Sequence, residues 1–503
     1  MPRPAVLLIN TNRMKPPIAP LALDYLGAAL RAAGHEPRLL DLCWESDAAA
    51  AVAGAFAGPR PELVGLTFRN TDDCYFASRA SFVDVLRDDV ALVRRHYDGP
   101  VVLGGIGFSV MPEQIMAHTG ADYGIRGDGE ESLPALLAAL AGRAPLSAVP
   151  GLVWKRGLTP FSQNATLPEK MYLSPFSQNA TREARIGEMR LSARELVDNR
   201  AYFAQGGQAG IETKRGCPNR CIYCADPVAK GRATRLRPPA DVVAEMRNLL
   251  AQGIDHFHLC DCEFNLPPTH ALELCESMTA AGLGERVRWY TYASPAPFSR
   301  ALVEKMRAAG CAGINFGVDS GCDAMLAALG RDFTTKEIAE TARLCREAGM
   351  VFMFDLLLGA PGETPESVAE TAAFMKRVDP DRVGLSLGVR VYPGTPLAAQ
   401  LSAHGPGVPG LIGDPAGLAP AFYLSPALGP DPAKLLRDLI GPDERFFLPS
   451  GGDEQDYNYN DNAVLQRAIA EGHQGAYWDI LRKVRQGLPA VGYVGQVGHV
   501  RPV

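Results

Sequence analysis

At 503 residues the chain can hold two to four domains, each with its own core. It is 47% hydrophobic and 21% charged with a net charge of −6, and it has no basic block of the kind a nucleic-acid or anionic-membrane surface requires. No run of about 18 uncharged apolar residues occurs and eleven cysteines lie mostly unclustered, so we expect a cytoplasmic protein with no membrane or nucleic-acid partner and one cysteine-based metal site.

Residues 1–145 alternate short apolar runs with amphipathic stretches. The runs are VLLIN (6–10), RLLDL (38–42), LVGLTF (63–68), VVLGG (101–105) and YGIRG (123–127). Continuous rather than alternating apolar runs predict strands buried on both faces of a parallel sheet. Helices are expected at Leu21–Ala33, Phe82–Tyr97 and Glu131–Ala141. Five βα units predict a flavodoxin-like, doubly wound α/β domain. Its ligand crevice should be lined by the loops NTNRMKPPIAPLAL (10–23), TFRNTDD (67–73), GGIGFS (104–109) and RGDGEE (126–131). Glycines at 104, 105 and 107 would let the backbone approach a flat or bulky ligand.

Residues 146–208 break the rhythm. PFSQNAT occurs twice there, at 160–166 and 175–181, in polar, proline-containing sequence. This segment reads as a linker, with a hairpin-like arm as one form it could take. From 209 to 400 the alternation resumes with strands expected at 209–214, 256–261, 287–293, 313–319, 351–359 and 382–390. Helices such as Asp241–Ala251, Arg300–Ala309, Lys336–Ala348 and Glu366–Val378 separate them. Six such units predict a partial (β/α)6 barrel whose chemistry sits at the C-terminal ends of its strands. Residues 401–503 form a small, mostly helical C-terminal domain capping the substrate side: a Pro/Gly-rich passage (405–431), the motif DYNYN (456–460) and one helix over Asn462–Gln486. Tyr457, Tyr459 and Trp478 are candidates to line a substrate pocket, the other reading being that they pack the helical cap.

The chemistry begins in KRGCPNRCIYCA (214–225), where Cys217, Cys221 and Cys224 follow the first barrel strand. A closed zinc site would need a fourth Cys or His. The nearest are His256, His258, Cys260 and Cys262, which share one face of a strand and read equally as core residues. A [4Fe–4S] cluster held by three thiolates leaves one iron open.

This C-x3-C-x2-C loop at a barrel mouth resembles the radical S-adenosylmethionine (SAM) superfamily. The resemblance implies that SAM chelates the open iron and is cleaved there to a 5′-deoxyadenosyl radical. It places Tyr223 near the adenine, Asp261 and Glu263 of HLCDCEFN (258–265) near the SAM amino group, and Asp319, Ser320 and Arg331 of GVDSGCDAMLAALGR (317–331) near the ribose and methionine carboxylate. Asp319 stands where the pattern usually has Glu. LLGAPGET (357–364) and YPGTPL (392–397) match further segments of the pattern.

GDGEESLPALL (127–137) is similar to the signature of cobalamin-binding domains fused to such barrels, with Asp128 in place of a common Glu. That subgroup, the class B radical SAM methyltransferases, implies cobalamin contacts from Asn10, Thr67, Arg69, Asn70, Gly104, Gly105, Gly107, Ser109, Gly127, Asp128, Gly129 and Glu130. The D-x-H-x-x-G motif that supplies a lower cobalt ligand is missing, and Arg69 or a neighbour is a candidate to lie beneath the corrin or to contact its propionamides or phosphate.

The activity implied is methyl transfer from SAM, by way of methylcobalamin, to an unactivated carbon of a small-molecule or peptide substrate in natural-product biosynthesis, with a flavodoxin- or ferredoxin-type electron donor. Alternatives are a cobalamin-dependent radical SAM cyclase without methyl transfer, or a non-catalytic corrinoid-binding protein.

Overall fold

The computed structural model describes residues 4–155, 175–181, 183–184, 186–188, 193–405, 407–447 and 459–490. The first copy of PFSQNAT (160–166) and Tyr457 lie outside the described residues.

The N-terminal sheet is built as its apolar runs require. Strands β1 (Ala5–Asn10), β2 (Glu36–Asp41), β3 (Leu63–Thr67), β4 (Val101–Gly104) and β5 (Tyr123–Ile125) pair in parallel in the order 2-1-3-4-5. Val6 to Ile9 and Val101 to Leu103 are buried on both faces, under helices such as Leu21–Ala32 and Val83–Arg94. The sheet continues beyond the five expected strands. β6 (Leu152–Lys155) and β7 (Phe176–Gln178), within the segment read as a linker, add to it antiparallel, so the second PFSQNAT copy is an edge strand.

The second unit is a parallel sheet of β8 (Ala209–Ile211), β11 (His256–Leu259), β12 (Arg288–Ala293), β13 (Cys311–Asp319), β14 (Phe352–Leu358), β15 (Arg382–Leu387) and β19 (Phe446–Phe447), adjacent in that order. The first expected strand is shorter than 209–214: after β8 the chain turns, and β9 (Lys214–Arg215) pairs instead with β10 (Arg235–Leu236), framing the cysteine loop. The sixth unit is followed by a seventh strand, β19, which the sequence did not announce because it is only two residues long.

The Pro/Gly-rich passage carries β17 (Leu411–Ile412) and β18 (Phe422–Tyr423), which join β16 (Val389–Arg390) in a small antiparallel sheet. The single helix expected over Asn462–Gln486 is two, Ala463–Ala470 and Tyr477–Arg485. Gly472 (φ 97°) and Gly475 (φ 117°) occupy backbone conformations that a helix cannot continue through. Among the described residues no helix is long and apolar enough to cross a membrane.

The two units are locked together by buried ions. Arg194 pairs with Asp24 of the N-terminal unit (2.7 Å) and with Glu245 of the barrel (2.9 Å), and Glu245 also accepts from Arg237 (2.7 Å) and from the Tyr25 hydroxyl (3.1 Å). Pairing with opposite charges is what makes burial of such groups tolerable.

Candidate functional site

A cavity of ≈ 640 Å³ opens where the C-terminal ends of β1, β3 and β4 face the barrel mouth, at the large end of small-molecule sites. The position follows from topology, since both parallel sheets present their strand ends and loops there.

On the barrel wall the cysteine loop is buried: Cys217 is 6% and Cys221 9% exposed, and Cys224 is half-buried. Arg331 Nη1 donates to Cys221 Sγ at 2.8 Å, while Nη2 donates to the Gly317 carbonyl. Its guanidinium also lies 3.5 Å from Asp319 and 3.9 Å from Glu263. The Tyr223 hydroxyl donates to Asp319 Oδ2 at 2.7 Å. Asp319 reaches this position through a bulge at the end of β13 and a left-handed backbone (φ 64°), strain that the fold holds in place beside the site. Tyr223, Asp319, Arg331 and Glu263, drawn from three separate stretches of sequence, thus meet beside Cys221.

The surroundings set the protonation of these groups. Burial pushes Cys221 up to about 11, with Arg331 pulling the other way, and pushes Cys224 up too. A hydrogen bond with Cys262 brings Cys217 down to about 7. Burial raises Glu263 to about 8 against the pull of Arg331.

Two residues expected in this group serve the protein instead. Asp261 accepts from the Thr213 amide (2.8 Å), the Thr213 hydroxyl and the Lys214 amide, and so anchors the chain entering the cysteine loop. Ser320 bonds Thr371 (3.0 Å) and the Cys322 amide (3.1 Å), fixing the turn after β13.

Of the second-strand residues considered as alternative metal ligands, Cys262 donates to Asp226 (3.0 Å) and approaches Lys230, His256 bonds Asp255, and His258 and Cys260 line the cavity. Among the described residues no three His, Cys, Asp or Glu side chains converge on a single ion. A cluster makes no such demand, because each thiolate binds a different iron. Two buried thiols and a half-buried one, with an arginine donating to one of them, fit a polynuclear, negatively charged sulfide centre.

On the N-terminal wall Asn10, Thr67, Arg69, Asn70, Gly104, Gly105, Ser109, Gly127, Asp128, Gly129 and Glu130 all line the cavity; Gly107 does not. A Cβ on Gly107 would lie 3.0 Å from the Asn70 backbone, and one on Gly105 (φ 103°) only 2.5 Å from the Phe68 carbonyl oxygen. These two glycines therefore let the β4 loop pack on the β3 loop. Gly104 alone of the three keeps open space, its nearest neighbour being Ile125 O at 3.9 Å.

Several of the signature side chains are also engaged. Glu130 receives two bonds from Arg215 (3.0 and 2.6 Å), and Asp128 pairs with Arg215 (3.1 Å) and Arg235. Asn10 donates to Asp41 (2.8 Å) and Tyr202 (3.0 Å), and Ser109 accepts from the Gly127 amide (3.0 Å). The Arg69 side chain, by contrast, is exposed within the cavity and makes no hydrogen bond or ion pair among the described residues. Buried polar atoms without partners, Asn12 Nδ2 and Gln208 Oε1, belong to residues of the same lining. A wide recess floored by a glycine ledge and fringed by unpaired amides suits a large planar ligand that carries amides of its own.

Arg215 was missed in the sequence although it stands two residues before Cys217. It is buried between Asp128, Glu130 and Glu212 (2.8 Å), so one side chain fixes the β5 loop to the root of the cysteine loop. From the C-terminal segment, Tyr459, Tyr477 and Trp478 line the cavity. They also pack the cap: Tyr459 meets Tyr477 edge-on at 5.8 Å, and Trp478 meets Tyr290 at 6.1 Å.

Comparison with known proteins matches residues 211–375 to the Radical SAM superfamily and residues 8–137 to the B12 binding domain. The chain is 33% identical to the tryptophan 2-C-methyltransferase of Streptomyces laurentii, over 94% of this chain and 95% of that protein. It is similar to the solved radical S-adenosylmethionine methyltransferase TsrM from Kitasatospora setae. With tryptophan substrate and the SAM analog aza-SAM bound, that structure superposes with a TM-score of 0.84 at 33% identity, over 96% of this chain and 99% of the other. The same enzyme with cobalamin and a [4Fe–4S] cluster bound gives 0.83 at 32% identity, over 97% and 100%.

Proposed function

The chain belongs to the cobalamin-dependent radical SAM methyltransferases, and from that membership we propose that its methyl acceptor is the indole side chain of the amino acid tryptophan. The observation that carries the substrate reading is similarity to a tryptophan 2-C-methyltransferase along nearly the whole of both chains, C-terminal segment included. The aromatic lining of Tyr459, Tyr477 and Trp478 supports it, since flat rings pack on flat rings at little entropic cost.

In this reading Cys217, Cys221 and Cys224 hold the [4Fe–4S] cluster. Tyr223, Glu263, Asp319 and Arg331 face SAM, with Asp261 and Ser320 shaping the loops behind them. Thr67, Arg69, Asn70, Gly104 and Gly105 face cobalamin, while Gly107, Ser109, Gly127, Asp128, Gly129, Glu130 and Asn10 set the shape of its recess. When bound, cobalamin supplies a cobalt that carries the methyl group, and the cluster with SAM supplies one-electron chemistry.

The protein's own task is positional. Arg331 donates to Cys221 and so offsets charge on that sulfur. Arg215 holds the two walls at one separation, and the aromatic floor excludes water from the acceptor carbon. Arg69, among the described residues the one cation of the cavity wall without a pairing carboxylate, would face bound cobalamin with its charge free. A flavodoxin- or ferredoxin-type protein would deliver the electrons.

Anaerobic incubation of the reconstituted protein with tryptophan and methyl-deuterated SAM tests the proposal. The expected products are a trideuteromethyl-tryptophan and S-adenosylhomocysteine in step with it. Formation of 5′-deoxyadenosine without S-adenosylhomocysteine would indicate the cyclase-type reaction instead. Absence of any turnover beside intact cofactors would indicate a corrinoid-binding protein.

A further inference from the structure

Inside the barrel, four adjacent strands place a ring of polar side chains between the aromatic floor and the cysteine loop: His258 on β11, Tyr292 on β12, Asn315 on β13 and Asp355 on β14. Below the ring the lining is apolar, with Tyr290, Met353, Tyr477 and Trp478 in one cluster. A Cβ on Gly313, two residues before Asn315 on the same face of β13, would touch Trp478 and Tyr290 at 3.0 Å. Gly317, two residues after it, lies 3.8 Å by the same measure from Arg331 Nη2. Asn315 therefore stands one step above the floor and one step below the group that surrounds Cys221.

The chemistry of Asn315 is one-sided. It is 5% exposed, lines the cavity, and donates through Nδ2 to Asp355 Oδ2 at 2.6 Å. The amide nitrogen is the end that can donate, so this bond turns Oδ1 away from Asp355. Among the described residues Oδ1 is a buried acceptor with no partner. His258 Nδ1 is likewise unpartnered, and its ring, edge-on to Tyr292 at 5.1 Å, is held neutral by burial, which pulls it to about 4. A buried acceptor that goes unmet costs free energy on the scale of a lost hydrogen bond, and the bond to Asp355 behind the amide polarises it and strengthens its pull on a donor.

We propose that Asn315, oriented by Asp355, is a specificity-determining residue whose Oδ1 accepts a hydrogen bond from an N–H of the methyl acceptor. The inference rests on the tryptophan reading and adds the group that reads the substrate's nitrogen. Tryptophan has two such sources, the ring N–H and the ammonium. Either one, presented above an indole stacked on Trp478 and Tyr477, could serve as the donor the amide lacks. Asp355 acts through Asn315 and is a positioning residue.

The test is equilibrium binding to the cofactor-loaded protein without turnover, with tryptophan, 1-methyltryptophan (no ring N–H) and indole-3-propionate (no ammonium). Wild type and Asn315→Leu are compared, with Asn315→Ala as a second variant should leucine crowd the barrel. We expect wild type to lose about ten-fold or more in affinity for one of the two analogues, and the Asn315 variants to lose as much for tryptophan itself while no longer distinguishing tryptophan from that analogue. Which analogue suffers names the donor. Asp355→Asn should fall between wild type and the Asn315 variants. Unchanged tryptophan affinity in both Asn315 variants, or full discrimination of both analogues retained by them, would overturn the assignment and leave Oδ1 to a bound water. Failure of wild type to bind tryptophan at all would instead overturn the substrate reading, and this inference with it.

Discussion

The barrel wall and the N-terminal wall of the cavity differ in what their motif side chains do. On the barrel wall Tyr223, Asp319, Arg331 and Glu263 turn toward one another beside Cys221. On the N-terminal wall Asp128, Glu130, Asn10 and Ser109 turn into the protein, bonded to Arg215, Arg235, Asp41 and the Gly127 amide. A cluster and a charged sulfonium cofactor demand particular ligating and charged groups at fixed positions. A large macrocycle can be held by shape and backbone, so its sequence signature records how the loops are packed to make the recess.

The largest effect expected on this contrast is from Cys221→Ala. It should abolish the iron–sulfur absorbance and methyl transfer together, while cobalamin, measured by its own absorbance after denaturation, stays bound at the wild-type level. Loss of both cofactors would mean that the walls do not work separately.

Arg215→Met attacks the side chain that pairs with both Asp128 and Glu130 across the seam between the walls. It leaves Asp128, Glu130 and Glu212 buried without their shared cation, and urea unfolding should show a loss of about 3–5 kcal/mol. A loss below 1 kcal/mol would show that Arg235 alone can carry the seam.

A pH series gives the smallest effect and separates the walls by titration. His258, on the barrel side, has its folded pKa depressed to about 4 by burial, below its ordinary 6.5. The unfolded chain then binds more protons between these values, so the stabilisation is full above pH 6.5 and is lost as pH falls toward 4. It should amount to about 2 kcal/mol by pH 5. His258→Gln should flatten that part of the stability profile, and an unaltered profile in the variant would assign the loss to other groups.

Much of this was legible in the sequence where information is local. The five parallel strands of the first sheet and six of the second follow from continuous apolar runs, and the three cysteines from their spacing. Arg331 could be read because it closes a patterned segment after β13. What escaped was set by partners far away in the chain. Asp261, expected near SAM, accepts from Thr213 and Lys214, some 47 or 48 residues earlier, which no local pattern announces. Gly107 looked like a ligand contact, and only the neighbouring β3 loop reveals that it is there for packing. The polar ring of His258, Tyr292, Asn315 and Asp355 has no motif, since it exists only when four strands lie side by side. The break between the last two helices was visible as Gly472 and Gly475, but the apolar period on either side of it suggested one continuous helix.

The contrast between the walls turns most directly on Gly104. A side chain there would enter the recess with nothing nearer than Ile125 O at 3.9 Å, so the fold has room for it and a large ligand does not. Purified Gly104→Val should keep wild-type stability and iron–sulfur absorbance while its cobalamin content falls far below one per chain. Cobalamin at full stoichiometry in that variant would contradict recognition by shape at the glycine ledge.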